Sequence, residues 1–341
     1  MGLQKLIVRT LMKLPESWIL KLAGGTPVEI DGRTMDPRIQ LLAAQGAKAP
    51  SMTTLSIEEA RKGADDGLAL LEAKPRRTVS ILSRTIPGAD GELHVRIYTP
   101  AGATGPLPGI VYYHMGGCVI GNLETCNTFC SILADDCRAI VVSVDYRLAP
   151  EHKFPAAMDD AVASFDWVSE NAAALGIDPT RMGVGGDSAG GWLSAVVCQV
   201  RKAEGKAQPK AQLLIYPATD LDSKNGSMVS CAEIYPLPTE IMDWFMEQFL
   251  NGPEDAKDPR ASPAHSTNMS GLAPAIIATA GFDVLRDQGE AYGVKLREAG
   301  VPVTYRCYDT LSHAFTAFSG AVPAAKTACE EIARDMARAL G

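Results

Sequence analysis

From about residue 76 onward, short runs rich in β-branched and apolar residues alternate with longer segments of helical periodicity. This alternation constrains the fold more than any other feature of the chain. The runs are Thr78 to Thr85, Leu93 to Tyr98, Gly109 to Tyr113, Ala139 to Val144, Arg181 to Gly185, Gln212 to Tyr216, Ala275 to Ala280 and Val303 to Tyr308. The helix-length segments are Ala156 to Leu175, Ala189 to Glu204, Asp287 to Ala299 and Ala324 to Leu340. Strands that alternate with helices form βαβ units, whose crossovers place helices on both faces of a mostly parallel sheet. Several inner runs are apolar without interruption, as strands covered on both faces require. The pattern predicts an α/β fold around a mostly parallel, eight-stranded sheet. Only Pro87-Gly88-Ala89-Asp90-Gly91 separates the first two runs, which predicts an antiparallel hairpin at one edge.

Two stretches break the alternation. Residues 1–50 are helical in pattern and rich in leucine, with no strand signal. Residues 218–252 carry Met242, Trp244, Phe245, Met246, Phe249 and Leu250, closed by Asn251-Gly252-Pro253. The apolar face of this second stretch is too wide for a simple surface helix. Both stretches flank strands whose C-terminal ends carry the site in open α/β sheets, so they read as two pieces of one helical cap. The organisation expected is a core in two parts, 51–217 and 253–341, under a cap drawn from 1–50 and 218–252. A length of 341 residues exceeds what one sheet needs, and the cap accounts for the surplus.

With 46% apolar and 21% charged residues, the chain falls outside the disordered, collagen-like and coiled-coil classes. Forty acidic against 32 basic residues give a net charge of −8, which speaks against a nucleic-acid partner. Eight cysteines contain no C-x-x-C pair; Cys126 and Cys130 are spaced to share a helix face, and all eight read as small buried hydrophobes rather than metal ligands. Lys5, Arg9 and Lys13 interrupt the amphipathic N-terminus before a signal-peptide core forms. No apolar run reaches the ~20 residues that span a bilayer. The expectation is a cytoplasmic protein with no membrane span, in which the sequon Asn225-Gly226-Ser227 is a chance match.

The sharpest local feature is Gly186-Asp187-Ser188-Ala189-Gly190, a G-x-S-x-G placed between a strand and a helix. A serine at such a bend is strained and tolerates only small neighbours two positions away. The bend exposes its hydroxyl and aims a helix N-terminus at developing negative charge. Serine is a weak nucleophile without a base. Of the five histidines, His94 lies within an edge strand, and His152 and His265 lie in proline-rich loops. His313 follows the last strand in a short loop, in the chain order serine, acid, histidine expected of this architecture. The acid comes from the loop after the preceding strand: Asp283 sits at the strand end, whereas Asp287 is placed as a first-turn helix residue. Asp283 would fix the imidazole tautomer and stabilise the imidazolium. Strand Gly109 to Tyr113 ends in His114-Met115-Gly116-Gly117-Cys118, where consecutive glycines let backbone N–H groups approach an oxyanion. Gly116 and Gly117 are the expected donors, joined by Ala189, and His114 is expected to brace the loop.

Taken together, YYHMGGCVIG (Tyr112 to Gly121), VDYRLAPEHKFPAA (Val144 to Ala157), GDSAGG (Gly186 to Gly191) and the Asp283 and His313 loops resemble the hormone-sensitive-lipase-like family of α/β-hydrolases, the bacterial family IV esterases. The resemblance covers about residues 75–341 well and the N-terminal region weakly. It implies the α/β-hydrolase fold, a Ser188, Asp283 and His313 triad, an oxyanion hole of Gly116, Gly117 and Ala189, and hydrolysis of short- to medium-chain carboxylic esters through an acyl-enzyme. No cofactor and no metal are implied. Met115, Cys118, Asp187, Trp244 and Phe245 are expected to line the substrate pocket. The chain departs from the family pattern at Met115, where a first glycine is usual and a Cβ requires negative φ. It departs again at Cys118, where an aromatic is common, at Val284 after the acid and at Ala314 after the base. An amidase or acyltransferase uses the same machinery, and a non-catalytic ligand-binding relative would lack the histidine. A homodimer through the strand near Val303 to Tyr308 is a further expectation from the family.

Overall fold

The protein is described by a computed structural model over residues 2–224 and 226–341; Asn225 of the sequon lies outside the described residues. Helices α1 (Gly2–Leu11) and α2 (Glu16–Leu22) open the chain, followed by β1 (Glu29–Ile30) and β2 (Arg33–Thr34), α3 (Pro37–Gly46) and α4 (Ile57–Leu71). The main sheet begins with β3 (Val79–Pro87), β4 (Glu92–Pro100) and β5 (Leu107–Tyr113). Then come α5 (Asn127–Asp136), β6 (Ile140–Asp145), α6 (Ala156–Glu170), β7 (Ile177–Asp187), α7 (Ala189–Ala203) and β8 (Ala211–Ile215). Short α8 (Ser227–Ser230) and α9 (Thr239–Phe249) precede β9 (Ala275–Phe282), α10 (Arg286–Glu298), β10 (Val303–Ser312) and α11 (Pro323–Leu340).

Eight strands form one sheet in the order β10-β9-β8-β7-β5-β6-β4-β3. Strands β5 to β10 pair in parallel, while β4 pairs antiparallel with both β6 and β3. The expected edge hairpin is therefore β3–β4. Strand alternation splits the core in two. Val111 and Tyr113 of β5 join Phe165 of α6, Trp192 of α7 and Leu296 of α10 on one face. Ile110 and Tyr112 join Phe129 of α5 and Ile332 of α11 on the other.

The N-terminal region differs from the reading above in two ways. It contains a small hairpin, β1–β2, across Asp31 and Gly32, whose φ values of 52° and 74° suit a two-residue Asp-Gly turn. The Asp-Gly pair was the available signal. Second, the helical region runs past residue 50 to α4, which starts on a capping box in which Ser56 and Glu59 bond reciprocally, and the sheet begins only at Val79. Asp36 caps α3 and its backbone N–H donates to the Thr310 carbonyl, which fastens this region to β10.

Candidate active site

Strand β7 ends at Asp187 and turns sharply into α7 through Ser188. The φ of 54° and ψ of −116° at Ser188 lie where side chains are seldom found, so the surroundings must hold them. Ser188 N–H donates to the Ile215 carbonyl at 2.8 Å. A Cβ on Gly190 would lie 1.9 Å from the Tyr113 carbonyl oxygen, and one on Gly186 would lie 2.3 Å from the Gly190 carbonyl carbon. Only glycines let the three backbone segments meet, and this is why the serine sits between them. The α7 N-terminus directly behind Ser188 favours negative charge there.

Parallel strands deliver the partners to the same end of the sheet. His313 follows β10, and its Nε2 lies 3.0 Å from Ser188 Oγ. Asp283 follows β9, and its Oδ2 accepts from His313 Nδ1 at 2.7 Å, while its Oδ1 accepts the Leu285 N–H at 2.9 Å. With the proton fixed on Nδ1, Nε2 is left as the acceptor for the serine hydroxyl. All three side chains are buried, with Ser188 7% exposed and His313 6%. Asp287, one turn on, takes the expected structural place: Oδ2 accepts the Ser227 N–H at 2.8 Å and Oδ1 accepts from Arg286 at 2.7 Å.

The loop after β5 brings the glycines to the same place. Met115 keeps a negative φ, so its Cβ is accommodated, while Gly116 and Gly117 take φ of 125° and 61°. A Cβ on Gly116 would come within 2.1 Å of the Ile120 carbonyl oxygen. His114 Nδ1–H donates to the Met115 carbonyl at 2.7 Å, its ring stacks on Tyr146 at 4.3 Å, and the Tyr146 hydroxyl donates to the His114 carbonyl at 2.7 Å. Burial lowers the pKa of this imidazole and keeps it neutral. Arg61 of α4 holds the next turn, donating to Val119 O at 2.9 Å and to Ala149 O at 2.9 Å.

Ser188, His313, Gly116, Gly117 and Ala189 border one cavity of 510 Å³. Val8, Leu11, Met12, Leu41, Leu68 and Leu71 close it from the N-terminal helices; Leu237, Ile241, Met242, Phe245 and Met246 close it from the region of α9. Among the expected pocket residues, Met115 and Phe245 line this cavity. The other three do not. Cys118 follows Gly117 at φ 59°, fully buried beside Tyr146, and burial pushes its thiol well above the usual range, so it is neither a wall of the cavity nor a reactive thiolate. Asp187 lies beneath the bend, accepting from Tyr216 at 3.0 Å and from Thr316 at 2.8 Å. Trp244 adjoins Phe245 on α9 and both belong to the same buried cluster, but one helical step turns Trp244 away from the cavity.

Sequence reasoning missed α4 as a cavity wall, although Ser56-x-x-Glu59 marks its start. It also missed Tyr216, whose ring centre lies 4.7 Å from that of His313, and Thr316. No sequence pattern pointed to either, because both act through contacts between distant strands. Cys126 and Cys130 do share a helix side, with their sulfurs 3.6 Å apart, and all eight cysteines are free. Among the described residues, no group of three or more His, Cys, Asp or Glu side chains is placed to hold a metal, and no helix is long and apolar enough to cross a membrane.

Residues 110–317 match the family model of the α/β-hydrolase fold. The chain belongs to the α/β-hydrolase family. Within it, this α/β-hydrolase falls in the hormone-sensitive-lipase-like group that its motifs resemble. It is 42% identical over 303 residues to LipN, a carboxylic ester hydrolase of Mycobacterium tuberculosis, covering 86% of this chain and 80% of that protein. It is 37% identical over 283 residues to the ethyl acetate hydrolase of Pseudomonas putida, covering 81% and 89%. The solved structure of ester hydrolase EH1AB1, from the metagenome of Lake Arreo, superposes with a TM-score of 0.85 at 40% identity, covering 95% of this α/β-hydrolase and 98% of that chain.

Proposed function

We propose that the protein is a serine carboxylesterase acting on short- to medium-chain esters. The hydrogen-bonded line from Asp283 through His313 to Ser188 carries this reading. Ser188 attacks the ester carbonyl while His313 Nε2 takes its proton. The tetrahedral oxyanion is met by the N–H groups of Gly116, Gly117 and Ala189, and the alcohol leaves with the proton returned from His313. Water, deprotonated by the same imidazole, then releases the acid from Ser188. A cavity of 510 Å³ with mostly apolar walls supports a small or medium ester. In this reading residues 1–50 and 218–252, with α4 added, form the cap over the site. Eight free thiols support a reducing, cytoplasmic location. Strand β10 lies at the end of the sheet, and its outer edge near Val303 to Tyr308, ahead of the Thr310 carbonyl that Asp36 occupies, is where two copies would form a homodimer.

Replacing Ser188 by Ala should leave the circular dichroism spectrum intact and abolish turnover of p-nitrophenyl butyrate. Persistent turnover would overturn the assignment. Offering an amide substrate and an alcohol acceptor beside the ester separates hydrolysis of esters from amidase and acyltransferase chemistry.

A further inference from the structure

Helix α1 has two apolar sides. Val8, Leu11 and Met12 face the catalytic cavity, whereas Leu6 and Ile7 are 62% and 57% exposed. In α2, Ile19 is buried while Trp18 and Leu22 are 62% and 53% exposed. These four make up half of the eight large apolar side chains exposed among the described residues, gathered within 17 positions. Leu6 and Ile7, with Thr10, Leu11 and Leu14, form an open hollow on the surface of α1. Leu11 borders both this hollow and the catalytic cavity, so α1 is the wall between them.

Charge identifies what covers this face. The first 25 residues hold Lys5, Arg9, Lys13 and Lys21 against a single acid, Glu16, in a chain of net charge −8; Lys5 and Arg9 are half-buried, Arg9 donating to the Glu72 carbonyl at 2.6 Å, which leaves Lys13 and Lys21 as the cations of the outer face. Glu16 is already paired with Arg38 at 3.1 Å, and Lys13 and Lys21 are exposed. A second copy seated on this face would bring basic residues together, whereas an anionic lipid surface would meet them with opposite charge and accept the apolar side chains beneath. We infer that the outer face of α1 and α2 docks on an anionic lipid bilayer. That docking would set the cavity wall against the lipid, a source of apolar esters; this last step rests on the esterase reading, whereas the docking itself does not.

The test is flotation of the full chain with vesicles of phosphatidylcholine plus phosphatidylglycerol, against phosphatidylcholine alone. Binding should be about tenfold or more tighter to the anionic vesicles and should weaken as salt screens the surface charge. Lys13→Glu with Lys21→Glu should remove the preference. Leu6→Ser with Ile7→Ser should weaken binding to anionic vesicles about tenfold, while both pairs leave turnover of water-soluble p-nitrophenyl acetate unchanged. Tryptophan emission should shift to the blue on anionic vesicles and lose that shift in Trp18→Phe. No flotation, or equal flotation of wild type and the double Lys→Glu variant, would overturn the inference. Self-association in light scattering that Leu6→Ser with Ile7→Ser dissolves, without flotation, would assign the face to a second copy. Running the flotation on Ser188→Ala as well keeps failure of docking distinguishable from failure of the esterase reading.

Discussion

The Thr316 hydroxyl donates to Asp187 Oδ2 at 2.8 Å and so ties the loop that carries His313 to the strand end that carries Ser188. Asp187 immediately precedes Ser188, and Thr316 lies three residues after His313. Tyr216 donates to the same oxygen at 3.0 Å, and its hydroxyl also touches that of Thr316. Burial raises the pKa of Asp187, and the hydroxyl donors oppose that rise. Thr316→Val keeps the shape and deletes one donor to a buried carboxyl, which should cost about 1–3 kcal/mol in urea unfolding. Its kcat should fall as the His313 loop loses its tie. Unchanged stability would show that the bond contributes nothing.

Asp283→Asn should be nearly as damaging as loss of the base. Both carboxylate oxygens accept hydrogen bonds, one from the fixed Leu285 N–H and one from His313 Nδ1–H. An amide has one accepting end, and the backbone N–H claims it. The amide NH₂ then faces Nδ1, which forces the proton onto Nε2, where it confronts the serine hydroxyl. A kcat loss of roughly 10³–10⁴ is expected in steady-state assays, with the fold intact.

Gly190→Ala tests the close approach at the bend. The new methyl would meet the backbone of Tyr113 rather than a movable side chain. The cost should reach or exceed the ~1–3 kcal/mol of ordinary overpacking, seen as a lower unfolding midpoint together with loss of turnover.

Phe245 borders the cavity and packs on Gly117, where a Cβ would come within 2.5 Å of its ring. Phe245→Leu removes part of that wall. Along a ladder of p-nitrophenyl esters, relative kcat/KM should move toward longer acyl groups; an unchanged profile would place the acyl chain elsewhere.

Burial raises the Glu72 carboxyl from 4.5 to about 7, against the opposing Thr128 N–H that donates to it at 2.8 Å. The folded state therefore binds this proton more tightly than the unfolded chain, and stability declines as pH rises from about 4.5 through about 7. Glu72→Gln keeps an acceptor for Thr128 and removes the charge. Melting curves should show the variant gaining on wild type between pH 5 and pH 8, by at most ~3 kcal/mol and less to the extent that solvent reaches the group.

The sheet and its edge hairpin were legible because strand and helix periodicities report burial on two faces or one, which is a local property. Ser188 and the glycines of both loops were legible for a similar reason: a forbidden backbone shape or a close approach leaves small residues at fixed offsets. Loop order after successive parallel strands then marked Asp283 and His313. The cavity wall was legible only in part. Phe245 and Trp244 are adjacent in sequence and equally apolar, and which of them meets the substrate depends on how α9 is rotated against the glycine loop. Cys118, next to the glycines, looked like a pocket residue until its left-handed backbone turned it toward Tyr146. The tie from Thr316 to Asp187 spans 129 positions and needs β7, β8 and β10 in register to exist. The sequence by itself determined the fold class and marked Ser188, Asp283 and His313, which the fold brings into one hydrogen-bonded line, since both follow from periodicity and local stereochemistry. Only the tertiary structure decided which side chains surround those groups, because that depends on the packing of helices whose own sequences fix an apolar face but not its rotation.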